Sequence, residues 1–204
     1  MNRVKIKICG LRRTEDIEAV NYAMPDYIGF VFAKSKRQIN ADTAKYLKKR
    51  LDKRILAVGV FVNQPLDFII DLYRKGIIAL AQLHGDENDE YMNELRHRCG
   101  CKIIKSIGIA SKLPVLPKAA DYLLFDKASE QRGGTGATFN WDAIAYYQEI
   151  PYFLAGGLMP ENIKEALQRL SPFGVDVSSG VETNGFKDAD KINKFMQIIK
   201  EIAY

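Results

Sequence analysis

The sequence predicts an α/β fold, a single-domain (β/α)8 barrel over residues 1–204. Three observations carry that reading. Short apolar runs alternate with amphipathic stretches along the whole chain, the mark of repeated strand–helix units. Two of those runs end in a thiol, Cys9, and a carboxylate, Asp126, and chemistry in a parallel barrel sits at such C-terminal strand ends. No linker, composition break or low-complexity tract divides the chain. An open doubly wound sheet has fewer strands, and Gly10 lacks the further glycines of a dinucleotide-binding turn.

In the first unit Val4, Ile6 and Ile8 alternate with Lys5 and Lys7, giving a strand over residues 4–8; Thr14 with Asp16 opens a helix over 14–22. The second unit is a strand over 27–32 and a helix over 41–49, with Asn40 and Asp42 as start signals. The third places a strand at 55–61 and a helix at 66–75. The fourth has a strand at 77–83 and a helix at 89–98, and the fifth a strand at 102–106 and a helix at 111–119. The sixth runs from a strand at 122–126 to a helix at 141–147 behind Asn140. In the seventh, Pro160 precedes a helix at 161–169 after a strand at 152–155. The eighth is a strand at 174–177 followed by a helix at 189–202.

Composition narrows the function classes. No apolar run approaches the ~18 residues of a membrane span, and Met1-Asn2-Arg3 leads into a strand rather than a signal-peptide core. Three cysteines, an odd number without metal-ligand spacing, point to a reducing cytoplasm. The net charge of +5 is concentrated in Lys48-Lys49-Arg50 and Lys53-Arg54, at a helix end where cations suit the macrodipole. There is no basic stripe interleaved with aromatics, so nucleic acid is not an expected partner. A mildly basic protein does suit a small anionic substrate.

The strand-end rule yields the candidates. Cys9 shares a face with Lys7 and Lys5, so it points into the barrel mouth above a cation that favours its thiolate and makes it a usable base. The bland reading is a small buried hydrophobe, which is taken for Cys99 and Cys101. Asp126 lies on the inward face with Leu124 and Tyr122, beneath a glycine-broken loop, Gln131-Arg132-Gly133-Gly134-Thr135-Gly136, that reads as a lid. A desolvated carboxyl has a raised pKa and suits a general acid. Ala155-Gly156-Gly157-Leu158 and Val177-Ser178-Ser179-Gly180 end the last two strands. Their glycines and small hydroxyls suit a phosphate, and residues 181–187 leave room for the short extra helix of such sites. His84 lacks partners for a metal and reads as a polar substrate contact or simple packing. Arg37 is either a bidentate carboxylate grip or one surface charge among others. The apolar residues Ile69, Ile70 and Tyr73 face either a partner or the barrel, which leaves monomer and homodimer open.

With these residues assembled, the chain resembles the phosphoribosylanthranilate isomerase family of tryptophan biosynthesis from end to end. The motifs are Lys7-Ile8-Cys9-Gly10, Gly29-Phe30-Val31-Phe32 with Ser35 and Arg37, Val58-Gly59-Val60-Phe61-Val62-Asn63, Gln82-Leu83-His84-Gly85 and Phe125-Asp126. They continue through Gly133-Gly134-Thr135-Gly136, Leu154-Ala155-Gly156-Gly157-Leu158 and Val175-Asp176-Val177-Ser178-Ser179-Gly180-Val181-Glu182, then Gly185 and Lys187-Asp188. One departure is Lys34-Ser35-Lys36-Arg37-Gln38, where the family often has proline before the arginine and an aromatic after it; this bears on the aim of Arg37. The resemblance implies a TIM barrel of ribulose-phosphate-binding type. It also implies an Amadori rearrangement of N-(5-phosphoribosyl)anthranilate to 1-(2-carboxyphenylamino)-1-deoxyribulose 5-phosphate, with no metal or organic cofactor. Asp126 would be the acid for ring opening and Cys9 the base at C2′. Arg37 would hold the anthranilate carboxylate; Gly156, Gly157, Ser178, Ser179 and Gly180 the phosphate; Asp176 and His84 would neighbour the sugar. Indole-glycerol-phosphate synthase, whose family uses a lysine and a glutamate, is the nearest rival, with Lys105 as its candidate lysine. A phospho-sugar binding module without catalysis would have lost Cys9 or Asp126. One phosphate loop pair argues against the two-phosphate substrate of the histidine pathway.

Overall fold

A computed structural model describes residues 3–110, 112–128 and 140–202. Eight parallel strands close into a barrel in sequence order: β1 Lys5–Cys9, β2 Tyr27–Val31, β3 Leu56–Phe61, β4 Leu80–Leu83, β5 Lys102–Ile109, β6 Tyr122–Lys127, β7 Tyr152–Leu154 and β8 Gly174–Val177. The seam joins β1 to β8 with Lys7 opposite Asp176, while Cys9 lies opposite Gly29 of β2. On the far wall Asp126 lies opposite Gly108 of β5.

The alternation read from the sequence decides which side chains point where. Ile6, Ile8, Ile28, Phe30, Leu123 and Phe125 face outward into the layer between strands and helices. Tyr27, Val58, Leu80, Ile104, Leu124 and Phe153 fill the lower barrel, and Cys9, Val31, Ala33 and Val60 line the mouth above them. Lys7 lies on the inward face between Lys5 and Cys9. Among the described residues six α-helices follow: α1 Thr14–Ala23, α2 Ala41–Lys48, α3 Leu66–Arg74, α4 Asp89–Cys99, α5 Ile163–Arg169 and α6 Ala189–Ile202. Asn40 caps α2 by accepting from Thr43 N–H at 2.8 Å, and Asn88 caps α4 through Tyr91 N–H at 2.9 Å. Ile69 and Ile70 of α3 are buried and Tyr73 packs on the same core, so this stripe faces the barrel. Among the described residues no helix is long and apolar enough to cross a membrane.

Two expected helices fail to form. The expected helix at 111–119 is irregular over its described residues 112–119. Pro114 and Pro117 remove helical donors and disfavour helical geometry before them, and the N–H groups of Lys118 and Ala119 bond the Asp89 carboxylate instead, at 3.0 and 2.9 Å. The expected helix at 141–147 is a single 3₁₀ turn, Trp141–Ile144, started by Asn140 accepting from Asp142 N–H at 3.1 Å. The glycine-broken loop at 131–136, read above as a lid, lies outside the described residues.

Gly29 leaves the space that Cys9 occupies at the mouth: a Cβ there would stand 2.6 Å from Cys9 Sγ and 3.1 Å from Cys9 Cα. The Gly29→Ala variant should therefore lose about 1–3 kcal/mol of stability through overpacking. Urea unfolding of the variant beside wild type measures this, and an unchanged midpoint would contradict the packing described.

Candidate active site

Cys9 closes β1 at the mouth, in the space that Gly29 leaves open. Directly below it Lys7, with no solvent exposure, places Nζ 3.0 Å from Oδ1 of Asp176 on β8. Burial draws the Lys7 pKa down, but Asp176 and then Cys9 push it up by more, so Lys7 is held as an ammonium. The thiol of Cys9 behaves otherwise than expected. Burial pushes its pKa up, and Lys7, already engaged by Asp176, pulls it down by less. The resting group is a thiol, not a thiolate.

Asp126, the last residue but one of β6, lies on the inward face with an oxygen accepting from Lys127 N–H at 2.7 Å. Burial lifts its pKa to about 6 against that hydrogen bond, and Asp176 adds to the lift. Both Cys9 and Asp126 thus lie within electrostatic reach of the single Lys7–Asp176 pair. The fold brings together, from β1, β6 and β8, side chains that the sequence holds far apart.

On the β8 side, Gly156 and Gly157 adopt positive φ values of 82° and 66°. Asn162 fastens this turn, donating to Gly157 O at 2.9 Å and accepting from Met159 N–H at 2.9 Å. A Cβ on Gly180 would fall 1.9 Å from Leu158 O, so only glycine lets the loops after β7 and β8 touch. Ser178 donates from Oγ to Cys9 O at 3.0 Å, linking this loop to β1. The short helix expected here is one 3₁₀ turn, Ser179–Val181; the rest is a hairpin of β9 Glu182–Thr183 and β10 Phe186–Lys187. Asn184 and Gly185, with φ of 52° and 77°, form its two-residue turn, which is why the segment is not helical.

Arg37 does not lie among the surface charges. It is buried over Gly10, whose missing Cβ would stand 2.4 Å from Arg37 Cδ, and its Nε and Nη2 donate to the two oxygens of Glu182 at 2.7 and 2.8 Å. Lys187, opposite Glu182 in the hairpin, donates to Glu182 Oε1 at 2.8 Å and to Ser178 O at 2.9 Å. Burial would raise the Glu182 carboxyl, but Arg37 and Lys187 outweigh it and hold it at about 2.

His84 is half-buried at the end of β4, with its backbone N–H on Phe61 O at 2.8 Å and its Nδ1 3.4 Å from Gln82 Nε2. Its loop is built on a second buried pair. Glu87 accepts from Asn63 N–H at 2.7 Å and Gly85 N–H at 2.9 Å, and Lys105 Nζ reaches Glu87 at 3.0 Å and Gly85 O at 2.6 Å. Lys105, the lysine that an indole-glycerol-phosphate synthase reading would use, is committed to this brace. Gln82 Oε1 is buried without a hydrogen-bond partner among the described residues.

Sequence reasoning gave no role to Glu182, Lys187 or Glu87. The Asn184-Gly185 dipeptide was the available signal for the first two, since a two-residue hairpin sets its flanking residues face to face. Glu87 carried no such signal. Among the described residues no group of three His, Cys, Asp or Glu could hold a metal.

Removing Glu87 leaves Lys105 buried and uncompensated. Glu87→Ala should lose about 3–5 kcal/mol, and Glu87→Leu with Lys105→Met substantially less. Chemical denaturation of both variants tests this, and equal losses would contradict it.

Residues 6–198 match the family model for N-(5′-phosphoribosyl)anthranilate (PRA) isomerase. A relative from Endomicrobium trichonymphae carrying that name is 45% identical over 199 residues, covering 97% of this chain and 99% of its own. A second, from Caldanaerobacter subterraneus subsp. tengcongensis, is 43% identical over 204 residues, covering 98% and 99%. The crystal structure of phosphoribosyl anthranilate isomerase from Thermus thermophilus superposes with a TM-score of 0.85 at 30% identity, covering 98% of this chain and 100% of that one. A further solved structure, of the isomerase in complex with reduced 1-(o-carboxyphenylamino)-1-deoxyribulose 5-phosphate, gives 0.82 at 32% identity, covering 97% and 99%.

Proposed function

This chain belongs to the N-(5′-phosphoribosyl)anthranilate isomerase family, and on that premise we propose that Asp126 and Cys9 carry out the two proton transfers of an Amadori rearrangement. The substrate is N-(5-phosphoribosyl)anthranilate, an intermediate of tryptophan biosynthesis. Asp126 protonates the furanose oxygen as the anthranilate nitrogen pushes open the ring to a Schiff base. Cys9, as thiolate, then takes the C2′ proton. The resulting enol-amine tautomerises to 1-(2-carboxyphenylamino)-1-deoxy-D-ribulose 5-phosphate. Both transfers use side chains, and the reading calls for no cofactor.

The observation that carries this reading is the placement of Cys9 and Asp126 around one buried ion pair at the barrel mouth. The raised carboxyl is what a general acid needs. The backbone N–H groups of Gly156, Gly157, Ser179 and Gly180, with Ser178, would bind the phosphate where the loops after β7 and β8 touch. Arg37 presents Nη1 beyond its contact with Glu182, the end that would meet the anthranilate carboxylate. Asp176 and His84 would line the sugar. In this reading the enzyme is a cytoplasmic, single-domain barrel working on a small phosphorylated ligand.

Each acid–base group is worth about 10²–10⁴-fold. Turnover, followed as loss of anthranilate-type fluorescence from freshly generated substrate, should fall by that factor in Asp126→Asn and in Cys9→Ala. Near-wild-type turnover in a folded variant would remove that residue from the mechanism.

The pH profile follows from the two shifts. Asp126, raised to about 6, and Cys9, raised above its ordinary value, together hold one proton between those limits. The reaction requires one proton on the pair, so kcat/KM should rise with pH through about 6 and fall as the thiol titrates. In Asp126→Asn the limb near 6 should vanish. Its persistence would assign that limb to another group, such as the substrate phosphate.

A further inference from the structure

We propose that Glu182 and Lys187 are specificity-determining positioning residues: Glu182 fixes the edge that Arg37 turns to the ligand, and Lys187 ties that carboxylate to the phosphate loop. The inference rests on the reading of Arg37 as the partner of the anthranilate carboxylate.

The geometry gives each residue a distinct part. Arg37 spends its Nε–Nη2 edge on both oxygens of Glu182, at 2.7 and 2.8 Å, so its planar fork is locked in rotation and Nη1 has a defined aim. Glu182 Oε1 is shared with Lys187 Nζ at 2.8 Å. Lys187 turns its remaining donors to Ser178 O at 2.9 Å and Ser178 Oγ at 3.4 Å. An ammonium has three N–H donors, and all three have acceptors, so Lys187 has none for a ligand. It works through its neighbours.

Charge points the same way. The side chains of Arg37, Lys187 and Glu182 are only 9%, 1% and 6% exposed, and two cations share one carboxylate. The next carboxylate, Asp176, is taken by Lys7. Within this trio the charge is one positive in excess, and such an excess favours an anionic ligand. A ligand carboxylate at Nη1 supplies the missing anion. A rigid fork then reads its position on the ring as well as its charge. Arg12 strengthens the frame, donating to Lys36 O at 2.8 Å and Gly185 O at 2.5 Å, which ties the Arg37 loop to the hairpin turn.

The test compares two equally charged ligands, reduced product analogues with the carboxylate at ring position 2 or 3, by direct binding to the full enzyme. Wild type should prefer the 2-isomer by about 100-fold, in the range of a lost buried charge contact. Glu182→Gln and Lys187→Met should lower that preference to about tenfold or less, raising KM more than they lower kcat. Lys187→Met should also weaken inhibition by inorganic phosphate. A residue of merely structural importance would shift Tm and both isomers' affinities together. If Arg37→Ala keeps the isomer preference, the reading of Arg37 fails. If Arg37→Ala loses it while Glu182→Gln and Lys187→Met keep the wild-type ratio, the present inference alone is overturned. Should Glu182→Gln not fold, Glu182→Asp, which keeps the charge and shortens the reach, is judged by the same ratio.

Discussion

The rest of this molecule is arranged around a fully buried ammonium, Lys7, and the carboxylate of Asp176 at 3.0 Å. The pair spans the seam between the first and last strands, so barrel closure is what brings its partners together. Neither charge is tolerable alone at that depth, and removing one partner would strand the other. A buried ion pair is weak ground for claiming stability, because an apolar pair of equal volume often does as well. Its use here is electrostatic: it puts a fixed positive end and a fixed negative end at the floor of the mouth.

The mouth as a whole repeats this device. Below it the barrel is filled with Tyr27, Val58, Leu80, Ile104, Leu124 and Phe153, ordinary apolar packing. Above it the loops are held by charge pairs reaching in from neighbouring elements: Lys105 with Glu87 under the His84 loop, and Arg37 with Glu182 and Lys187 across the loops after β2 and β8. Loops have few apolar contacts of their own, so directional bonds to strand residues are the available way to hold a polar surface in place. The glycines serve the same end where backbone must meet backbone, as Gly180 does against Leu158.

How far the sequence could be read follows from the range of the forces involved. Strands were legible because alternation is local, and β8 matches the expected residues 174–177. The helix start at Asn40 was equally local, since a cap acts on the next three residues. The failure at 112–119 was legible in principle, in Pro114 and Pro117, but the repeat pattern of the other units overrode it. So was the hairpin, in Asn184-Gly185. Cys9, Asp126 and Arg37 were found as strand-end or loop residues, and Lys7 as the cation below Cys9, yet the carboxylates that pair with Lys7 and Arg37 were not recognised as their partners. Lys7 and Asp176 are separated by 169 positions, and Arg37 and Glu182 by 145. Nothing short-range in the chain records such pairings, and with them went the state of the Cys9 thiol.

That thiol poses the sharpest question about the proposed chemistry, and the ion pair answers it. Cys9 and Asp126 are both shifted upward, so near neutrality their shared proton sits on sulfur, while the proposed ring opening starts with it on the carboxyl. Moving it costs free energy in proportion to the gap between the two pKa values. On Cys9 the pull of Lys7 outweighs the push of Asp176, and the pair lowers the thiol. On Asp126 the push of Asp176 outweighs the pull of Lys7, and the pair raises the carboxyl. In the proposed chemistry the same two charges act on the gap from both sides, Lys7 lowering the proposed base and Asp176 raising the proposed acid. An apolar pair at this depth could close the barrel, but it could not act in this way on the two groups proposed as proton donor and proton acceptor.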